Sequence, residues 1–323
     1  MKIAVIGTGQ WGKNHVRSLK ELMDEKKIDE VYLCDSNKER VSRMGKTYDI
    51  PSFTDYHKLP HDLDGVVIAT PSDTHKSISQ YFLDRGIHVL VEKPMALSSR
   101  DAGEMIIKAQ ENNSVLMVGH IFRYHPAVIK VKEGITRGDF GDIYYMMSNR
   151  FSLRYPRMDM GVLYALGIHE VDIFCDLLNK DYPQEIFAVI ENYVGETEET
   201  AQIIVFFEKG IKGYSFENWL NPVHGKKREL VVVGSRLSAL VDYLKPNEIK
   251  FYDSVISKDT VATEGSYIVP IEYKEPLKQE HYDFISCIRS GAQPVANMYV
   301  GKRAVEMIEK AFLSSQEGCK ITF

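Results

Sequence analysis

The sequence predicts an α/β Rossmann domain followed by an α+β domain with a large open mixed or antiparallel sheet. Three observations carry this. The apolar run Ile3-Ala4-Val5-Ile6 feeds directly into a glycine turn, Gly7-Thr8-Gly9-Gln10-Trp11-Gly12. The first third of the chain alternates short β-branched runs with longer helical patterns, the signature of βαβ units and a parallel sheet. Beyond about Tyr124 long strand-like runs follow one another with few helices between them, which implies antiparallel or mixed pairing.

Taken in order, the first strand is predicted at Lys2 to Ile6 and the first helix from Gln10 to Asp24. Further strands are expected at Val31 to Cys34, Gly65 to Ala69, His88 to Val91 and Val115 to Val118. Helices at Asn37 to Thr47, His75 to Arg85 and Ser98 to Asn112 fill the gaps, the last with Ser98 or Ser99 as its N-cap. The second part opens with a helix at Pro126 to Ile135. Strands follow at Ile143 to Phe151, Glu185 to Tyr193, Ala201 to Phe207, Gly213 to Asn218, Glu229 to Val233, Ala239 to Asp242 and Ile249 to Tyr252, with one helix, Val162 to Leu178, among them. The tail returns to helix at Gln279 to Ile288 and Val300 to Ser315. With 323 residues and a 44% apolar share there is material for two cores. We therefore place a dinucleotide-binding domain at 1–122 and a substrate and oligomerisation domain at 123–323, with the C-terminal helices packing back on the first.

Composition removes several function classes. The net charge of −5 comes from mixed signs, and the only basic clusters are short, such as Lys226-Lys227-Arg228, so no footprint for nucleic acid exists. The four cysteines, Cys34, Cys175, Cys287 and Cys319, are widely spaced, which offers neither a zinc site nor a disulfide framework and suits a reducing cytoplasm. No stretch reaches the roughly 18 apolar residues of a membrane span. A soluble cytoplasmic protein with no bound metal is expected.

In the glycine turn, Gly7 permits the tight exit from the strand, Gly9 lets backbone approach a pyrophosphate, and Gly12 lets the helix lie close to the sheet. The pyrophosphate then rests at the helix N-terminus, where free N–H groups and the helix dipole favour anions. Asp35 ends the next strand, where an acid meets the adenosine ribose hydroxyls and repels a 2′-phosphate. This points to NAD. Lys38 and Arg40 leave NADP open, since each either reaches a 2′-phosphate or is a solvated residue of the following helix. Trp11 either shields the cofactor or staples helix to sheet. In Thr70-Pro71-Ser72-Asp73-Thr74-His75 a strand ends in a polar turn that either lines the ribose and nicotinamide or caps a helix. Glu92-Lys93-Pro94 ends another apolar strand, and strand carboxyl ends are where ligands bind in open parallel sheets. An ammonium group beside a dinucleotide suggests redox chemistry.

Together the glycine turn, Ala69-Thr70-Pro71 with His75, Glu92-Lys93-Pro94, Gly119-His120 with Arg123-Tyr124, Gly167-Ile168-His169-Glu170-Val171-Asp172, and the tail Glu280-His281-Tyr282-Asp283-Phe284 resemble the Gfo/Idh/MocA oxidoreductase family over nearly the whole chain. The resemblance implies an NAD(P)-dependent enzyme acting on CH–OH groups, with dimers or tetramers formed through the exposed sheet face. It also implies that Lys93 and His169 contact a sugar or cyclitol hydroxyl. A narrower likeness, in Pro156-Arg157-Met158-Asp159-Met160-Gly161-Val162, Asn218-Trp219-Leu220-Asn221-Pro222 and Val241-Asp242-Tyr243, is to the branch that oxidises the 3-hydroxyl of UDP-N-acetylhexosamine-type sugar nucleotides.

Oxidising a secondary alcohol needs a base within about 3 Å of the hydroxyl, with its pKa near working pH. The expectation is that Lys93 holds the hydroxyl and stabilises the alkoxide while His169 takes or relays the proton. The family's aspartate four residues before this histidine is replaced by Ala165. Tyr164, Asp159 or Asp172 are the candidate substitutes, and Asp172 either orients His169 or serves a capping or salt-bridge role. Arg123, Arg154 and Arg157 are candidates for a substrate diphosphate because guanidinium forks match phosphate oxygens. Tyr124 or Tyr155 is the candidate to stack on a uracil. Three alternatives stand beside the nucleotide-sugar dehydrogenase: a free sugar or inositol dehydrogenase, an NAD-dependent glycoside hydrolase, and a non-catalytic NAD-binding sensor.

Overall fold

The computed structural model describes residues 1–223 and 225–323; His224, to which the sequence assigns no role, lies outside the described residues. By its contacts the chain divides into two units, Met1–Ile121 with Glu275–Val305, and Phe122–Lys274 with Glu306–Phe323.

The first unit is a Rossmann fold. Its elements are β1 (Lys2–Ile6), α1 (Gly12–Asp24), β2 (Glu30–Cys34), α2 (Lys38–Tyr48), β3 (Ser52–Phe53), β4 (Gly65–Ile68), α3 (His75–Leu83), β5 (His88–Val91), α4 (Ser99–Glu111) and β6 (Leu116–Val118). Among the described residues six strands pair in the order β3-β2-β1-β4-β5-β6, all parallel. Strands buried on both faces must be apolar throughout, and β4, Gly-Val-Val-Ile, is buried at every position. Crossovers on either side of β1 leave its carboxyl end at the point where the strand order reverses, the usual ligand position of such sheets. Ser98 caps α4, its hydroxyl accepting the Asp101 N–H at 3.0 Å.

In the second unit come α5 (Pro126–Arg137), β7 (Ile143–Phe151), α6 (Ile168–Leu177), β8 (Glu185–Glu191), β9 (Thr200–Phe206), β10 (Lys212–Asn218), β11 (Lys227–Gly234), β12 (Leu237–Asp242), β13 (Glu248–Ile256) and β14 (Val261–Pro270). The tail adds α7 (Pro276–Ser290) to the first unit, α8 (Met298–Glu317) partly to each, and β15 (Ile321–Thr322) to the second. Nine strands form a mixed sheet, β14-β13-β12-β11-β7-β10-β9-β8-β15, in which only β7 and β10 pair in parallel among the described residues. One face carries α6. There Phe174 lies so close over Gly213 that a Cβ on the glycine would come within 2.4 Å of its ring, so only glycine fits.

Within the first unit α7 packs on α1. Lys278 and Tyr282 each bond Glu25 at 2.7 Å, Arg17 pairs with Glu275, and the fully buried Phe284 presses against Gly65. Burying that one phenyl ring stabilises the packing by roughly 2 kcal/mol.

Three features differ from the sequence expectation. β14 was not anticipated, because almost all of its residues are exposed and it lacks the one-sided apolar alternation that marks a strand. β3 and β15, at two residues each, are too short to show a period. The helix expected from Val162 begins as a π turn, Leu163–Gly167, and becomes α-helical at Ile168. Among the described residues no helix is long and apolar enough to cross a membrane.

Candidate active site

At the carboxyl end of β1, Gly7 has φ +89° and Gly12 abuts it: a Cβ on Gly7 would lie 2.5 Å from the Ala69 carbonyl oxygen, and one on Gly12 only 1.9 Å from that of Gly7. Both glycines are therefore obligatory. Gly9 is different, since a Cβ there would meet only Arg40 Nη1 at 3.5 Å. It leads into α1, whose N-cap residue Trp11 makes no side-chain cap bond; the Lys13 and Asn14 N–H groups already bond the Gly9 and Trp11 carbonyls at 3.2 and 2.8 Å, so an anion would meet the N–H groups ahead of them. Gln10 is exposed and Trp11 is 40% exposed at this turn. Asp35 braces the turn as well as facing it. Its Oδ2 accepts the Thr8 N–H at 2.7 Å and the Thr8 hydroxyl at 2.9 Å, while Oδ1 accepts the Asn37 N–H at 2.8 Å. Arg40 Nε lies 3.4 Å from the same carboxylate. A cradle that excludes side chains, an uncapped helix start and an acid at the end of β2 fit a dinucleotide.

Two neighbouring strands end beside this turn. After β4, Thr74 donates its hydroxyl to the Pro71 carbonyl at 2.6 Å and its Oγ1 lies 2.7 Å from Thr70 Oγ1, which fixes the Thr70-Pro71 turn. His75, expected to line the cofactor, is instead 1% exposed, with Nδ1 2.8 Å from the Pro94 carbonyl oxygen and Nε2 3.0 Å from that of Thr70. Burial pushes its pKa down against these two carbonyl contacts, and the ring ties the ends of β4 and β5 together. After β5 comes Glu92, 7% exposed, whose Oε1 accepts the Trp11 indole N–H at 2.5 Å and lies 2.9 Å from His15 Nε2. Burial alone would raise its pKa, but the His15 bond, the Lys93 charge and the indole hold it below the ordinary carboxylate range. Trp11 is thereby a staple from the glycine turn to β5. Lys93 follows, half-buried.

In the second unit His169 opens α6 just past the π turn and is 6% exposed. Its ring meets Phe122 edge-on at 4.9 Å, and the Arg150 guanidinium carbon lies 4.2 Å from the centre of that same Phe122 ring and 5.0 Å from that of Tyr243. Arg150 pairs with Glu170, the residue after His169, and faces Glu217 as its register partner across β7 and β10. Burial, reinforced by Glu170, pushes the Glu217 carboxyl up to about 8. The sequence reading missed this group. Its signal was the inward stripe Met146, Ser148, Arg150 facing Gly213, Ser215, Glu217, where period two places polar residues on the buried side.

Two of the proposed substrate groups are committed elsewhere. Arg123, 8% exposed, grips Asp172 through Nε and Nη2 at 2.7 Å each and Asp176 through Nη1 at 2.7 Å. Burial disfavours its charge, yet these carboxylates outweigh burial and raise its pKa. Arg123 is thus an internal ion pair and not a phosphate anchor, and Asp172 takes a salt-bridge role. Tyr124 is 6% exposed, which leaves no ring face for a uracil, whereas Tyr155 is 82% exposed. Arg154 stacks on Trp219 at 5.1 Å, and the half-exposed Arg157 forks onto Asp159 at 2.9 and 2.5 Å. Of the three candidates to replace the family aspartate, Asp159 and Asp172 are therefore paired with arginines, and Tyr164 packs on Phe312 with its pKa pushed by burial to about 12. Ala165 itself lies within the π turn, so a residue four before His169 is not a full turn before it.

Residues 1–120 match the profile of the Gfo/Idh/MocA oxidoreductase family's NAD-binding Rossmann fold, and residues 132–323 match that of its C-terminal alpha/beta domain. The chain belongs to this family. Among Gfo/Idh/MocA relatives, the UDP-N-acetylglucosamine 3-dehydrogenase of Acidithiobacillus ferrooxidans is 31% identical over 190 residues, 58% of each chain. The alignment thus spans little more than half of that enzyme. The myo-inositol 2-dehydrogenase of Thermotoga maritima is 25% identical over 94% of this chain and 93% of its own. In structure, the Acidithiobacillus enzyme superposes with a TM-score of 0.84 at 24% identity over 98% of both chains. A levoglucosan dehydrogenase in complex with NADH does so with a TM-score of 0.87 at 18% identity, over 100% of this chain and 98% of its own. At these identities the superpositions show the Gfo/Idh/MocA fold, and the sequence relatives include nucleotide-sugar, cyclitol and free-sugar dehydrogenases.

Proposed function

We propose that the protein is a cytoplasmic NAD-dependent dehydrogenase that oxidises a secondary hydroxyl of a sugar, with C3 of a UDP-N-acetylhexosamine as the preferred site. The observation that carries this reading is Lys93, delivered by β5 beside a glycine turn to which Glu92 is bonded through Trp11. Bound NAD⁺ supplies the hydride acceptor. The chain does the rest: Gly7, Gly9, Gln10 and Gly12 seat the pyrophosphate, Asp35 takes the ribose hydroxyls, Lys93 Nζ holds the substrate oxygen, and His169 accepts its proton. Lysine suits the first task because its cation stabilises alkoxide, and histidine the second because its pKa lies near neutrality. Arg154 and Arg157, joined by the exposed Tyr155, supply the diphosphate and uracil contacts.

A free sugar or cyclitol is the second reading. It is favoured by the loss of Arg123 as a phosphate anchor and by the cyclitol relative that aligns over almost the whole chain. A panel of UDP-N-acetylglucosamine, free hexoses and myo-inositol with NAD⁺, followed by NADH absorbance and by identification of the keto product, separates the two. The highest kcat/KM on the nucleotide sugar, with a 3-keto product, supports the first. A panel that yields no NADH overturns both.

The sheet face turned away from α6 is the proposed contact between protomers of a dimer or tetramer. It carries the edge-on pair Tyr145 and Tyr214, both more than a third exposed, on adjacent strands. Sedimentation of the full chain tests it, and a monomer at micromolar concentration counts against it.

A further inference from the structure

Helix α1 places His15 and Ser18 on its inner face, and α7 places His281 against them; all three are fully buried. They form a line. Glu92 Oε1 lies 2.9 Å from His15 Nε2, His15 Nδ1 lies 2.9 Å from His281 Nε2, and His281 Nδ1 lies 2.9 Å from the Ser18 hydroxyl. Nothing in the chemistry assigned above uses the two histidines, and buried imidazoles in series are costly unless each nitrogen is satisfied.

With both rings neutral, counting protons fixes the direction of the line. A carboxylate only accepts, so His15 must donate from Nε2. A neutral imidazole has one N–H, which leaves His15 Nδ1 as an acceptor and obliges His281 to donate from its own Nε2. His281 Nδ1 then accepts from Ser18. Every link is satisfied with both rings neutral and a single negative charge, on Glu92. Glu280, fully buried on α7, faces the same carboxylate, and neither of its carboxyl oxygens has a hydrogen-bond partner among the described residues. Burial, Glu92 and Asp283 all favour its protonated form, so it adds no second charge. The other titratable groups felt here are Lys93 and His75 beside Glu92, and Arg17 beside His281.

We propose that Ser18, His281 and His15 are positioning residues that keep Glu92 ionised and aimed, so that one carboxylate sets both the Trp11 staple on the dinucleotide turn and the charge next to Lys93. The remaining bonds of Glu92 make this consequential. Oε1 takes the Trp11 indole N–H at 2.5 Å and Oε2 the Lys93 backbone N–H at 3.2 Å. If His15 is lost, the buried carboxylate loses a charge-assisted donor and takes up a proton more readily. The staple on Trp11 weakens, and Lys93 loses an anionic neighbour. The second consequence rests on the reading that Lys93 touches the reacting hydroxyl; the first does not.

The experiment uses the full chain as wild type, His15→Leu, His15→Gln, His281→Gln and Lys93→Met. Imidazole ¹⁵N–¹H spectra, assigned with the Gln variants, read the tautomers directly in the wild-type protein. Both rings are expected to be neutral and protonated on Nε2 at mildly alkaline pH. NADH binding by calorimetry should weaken about tenfold in His15→Leu and stay within about twofold in His15→Gln, whose amide keeps a donor near the Nε2 position. The pH profile of kcat/KM should move to lower pH in His15→Leu only. A wild-type ring that is Nδ1-protonated or doubly protonated overturns the proposal whether or not the Leu variant folds. Equal NADH affinity and equal pH profiles in His15→Leu and wild type overturn it as well. Turnover that survives Lys93→Met overturns the assignment of Lys93 alone and leaves the tautomer and NADH results to stand for the chain of bonds.

Discussion

The Arg123 guanidinium and the Asp172 carboxylate share two parallel hydrogen bonds of 2.7 Å, both groups being almost fully buried. Removing one partner strands the other charge out of water. Arg123→Ala is therefore expected to destabilise the second unit by about 3–5 kcal/mol. Urea denaturation checks it. The KM for any substrate, measured on the folded fraction, should change little, because the arginine serves the scaffold. A large KM effect with unchanged stability would restore it to the substrate site.

Glu217 gives the protein a pH signature. Its carboxyl is pushed from 4.5 to about 8 by burial, so between those values the native state holds a proton that the unfolded chain has released. Stability should consequently fall as pH rises through this window, by at most about 1.4 kcal/mol per pH unit, and level off above it. Glu217→Gln, which mimics the protonated acid, should flatten that slope. An unchanged slope in the variant would place the titration on another group.

These two clusters show what the sequence could and could not reveal. The first unit was readable because parallel strands buried on both faces are continuous apolar runs, and the residues that end them, Asp35, Thr70 and Lys93, are thereby placed by chain order alone. The roles of Arg123 and His75 were not readable. Arg123 finds its carboxylate 49 residues away, and His75 accepts its place from two backbone carbonyls that no side-chain pattern encodes. The line from Ser18 to Glu92 was equally hidden, since His15 and His281 are 266 residues apart. Likewise the π turn at Leu163–Gly167 follows from backbone hydrogen bonding rather than from any residue preference, and the spacing from Ala165 to His169 does not reveal it.

Arg154 and Arg157 carry the nucleotide-sugar reading now that Arg123 does not. Each arginine-to-alanine change should raise the KM for UDP-N-acetylglucosamine about tenfold, the worth of one charge-assisted bond, while leaving free polyols unaffected. Steady-state kinetics on both substrate classes checks it. Unchanged KM values for the nucleotide sugar would shift the assignment to a free sugar or cyclitol.

Asp35 should govern cofactor choice. With its carboxylate removed in Asp35→Ser, repulsion of a 2′-phosphate disappears and Arg40, 3.4 Å away, is released toward that phosphate. The NAD⁺ over NADP⁺ preference in kcat/KM should fall by about tenfold or more. Because Asp35 also holds the Thr8 N–H, NAD⁺ affinity should drop in the same variant. An undiminished preference would remove Asp35 from the ribose contact.

The proposed joint action of Lys93 and His169 on one hydroxyl is tested most directly by a double-mutant cycle in kcat, using Lys93→Met, His169→Ala and the combined variant. Each single change should cost about 10²–10⁴-fold, and the double variant should be no slower than the worse single one, because groups acting on the same proton fail as a unit. Losses that multiply in the double variant, or a Lys93→Met protein that turns over normally, would contradict the assignment.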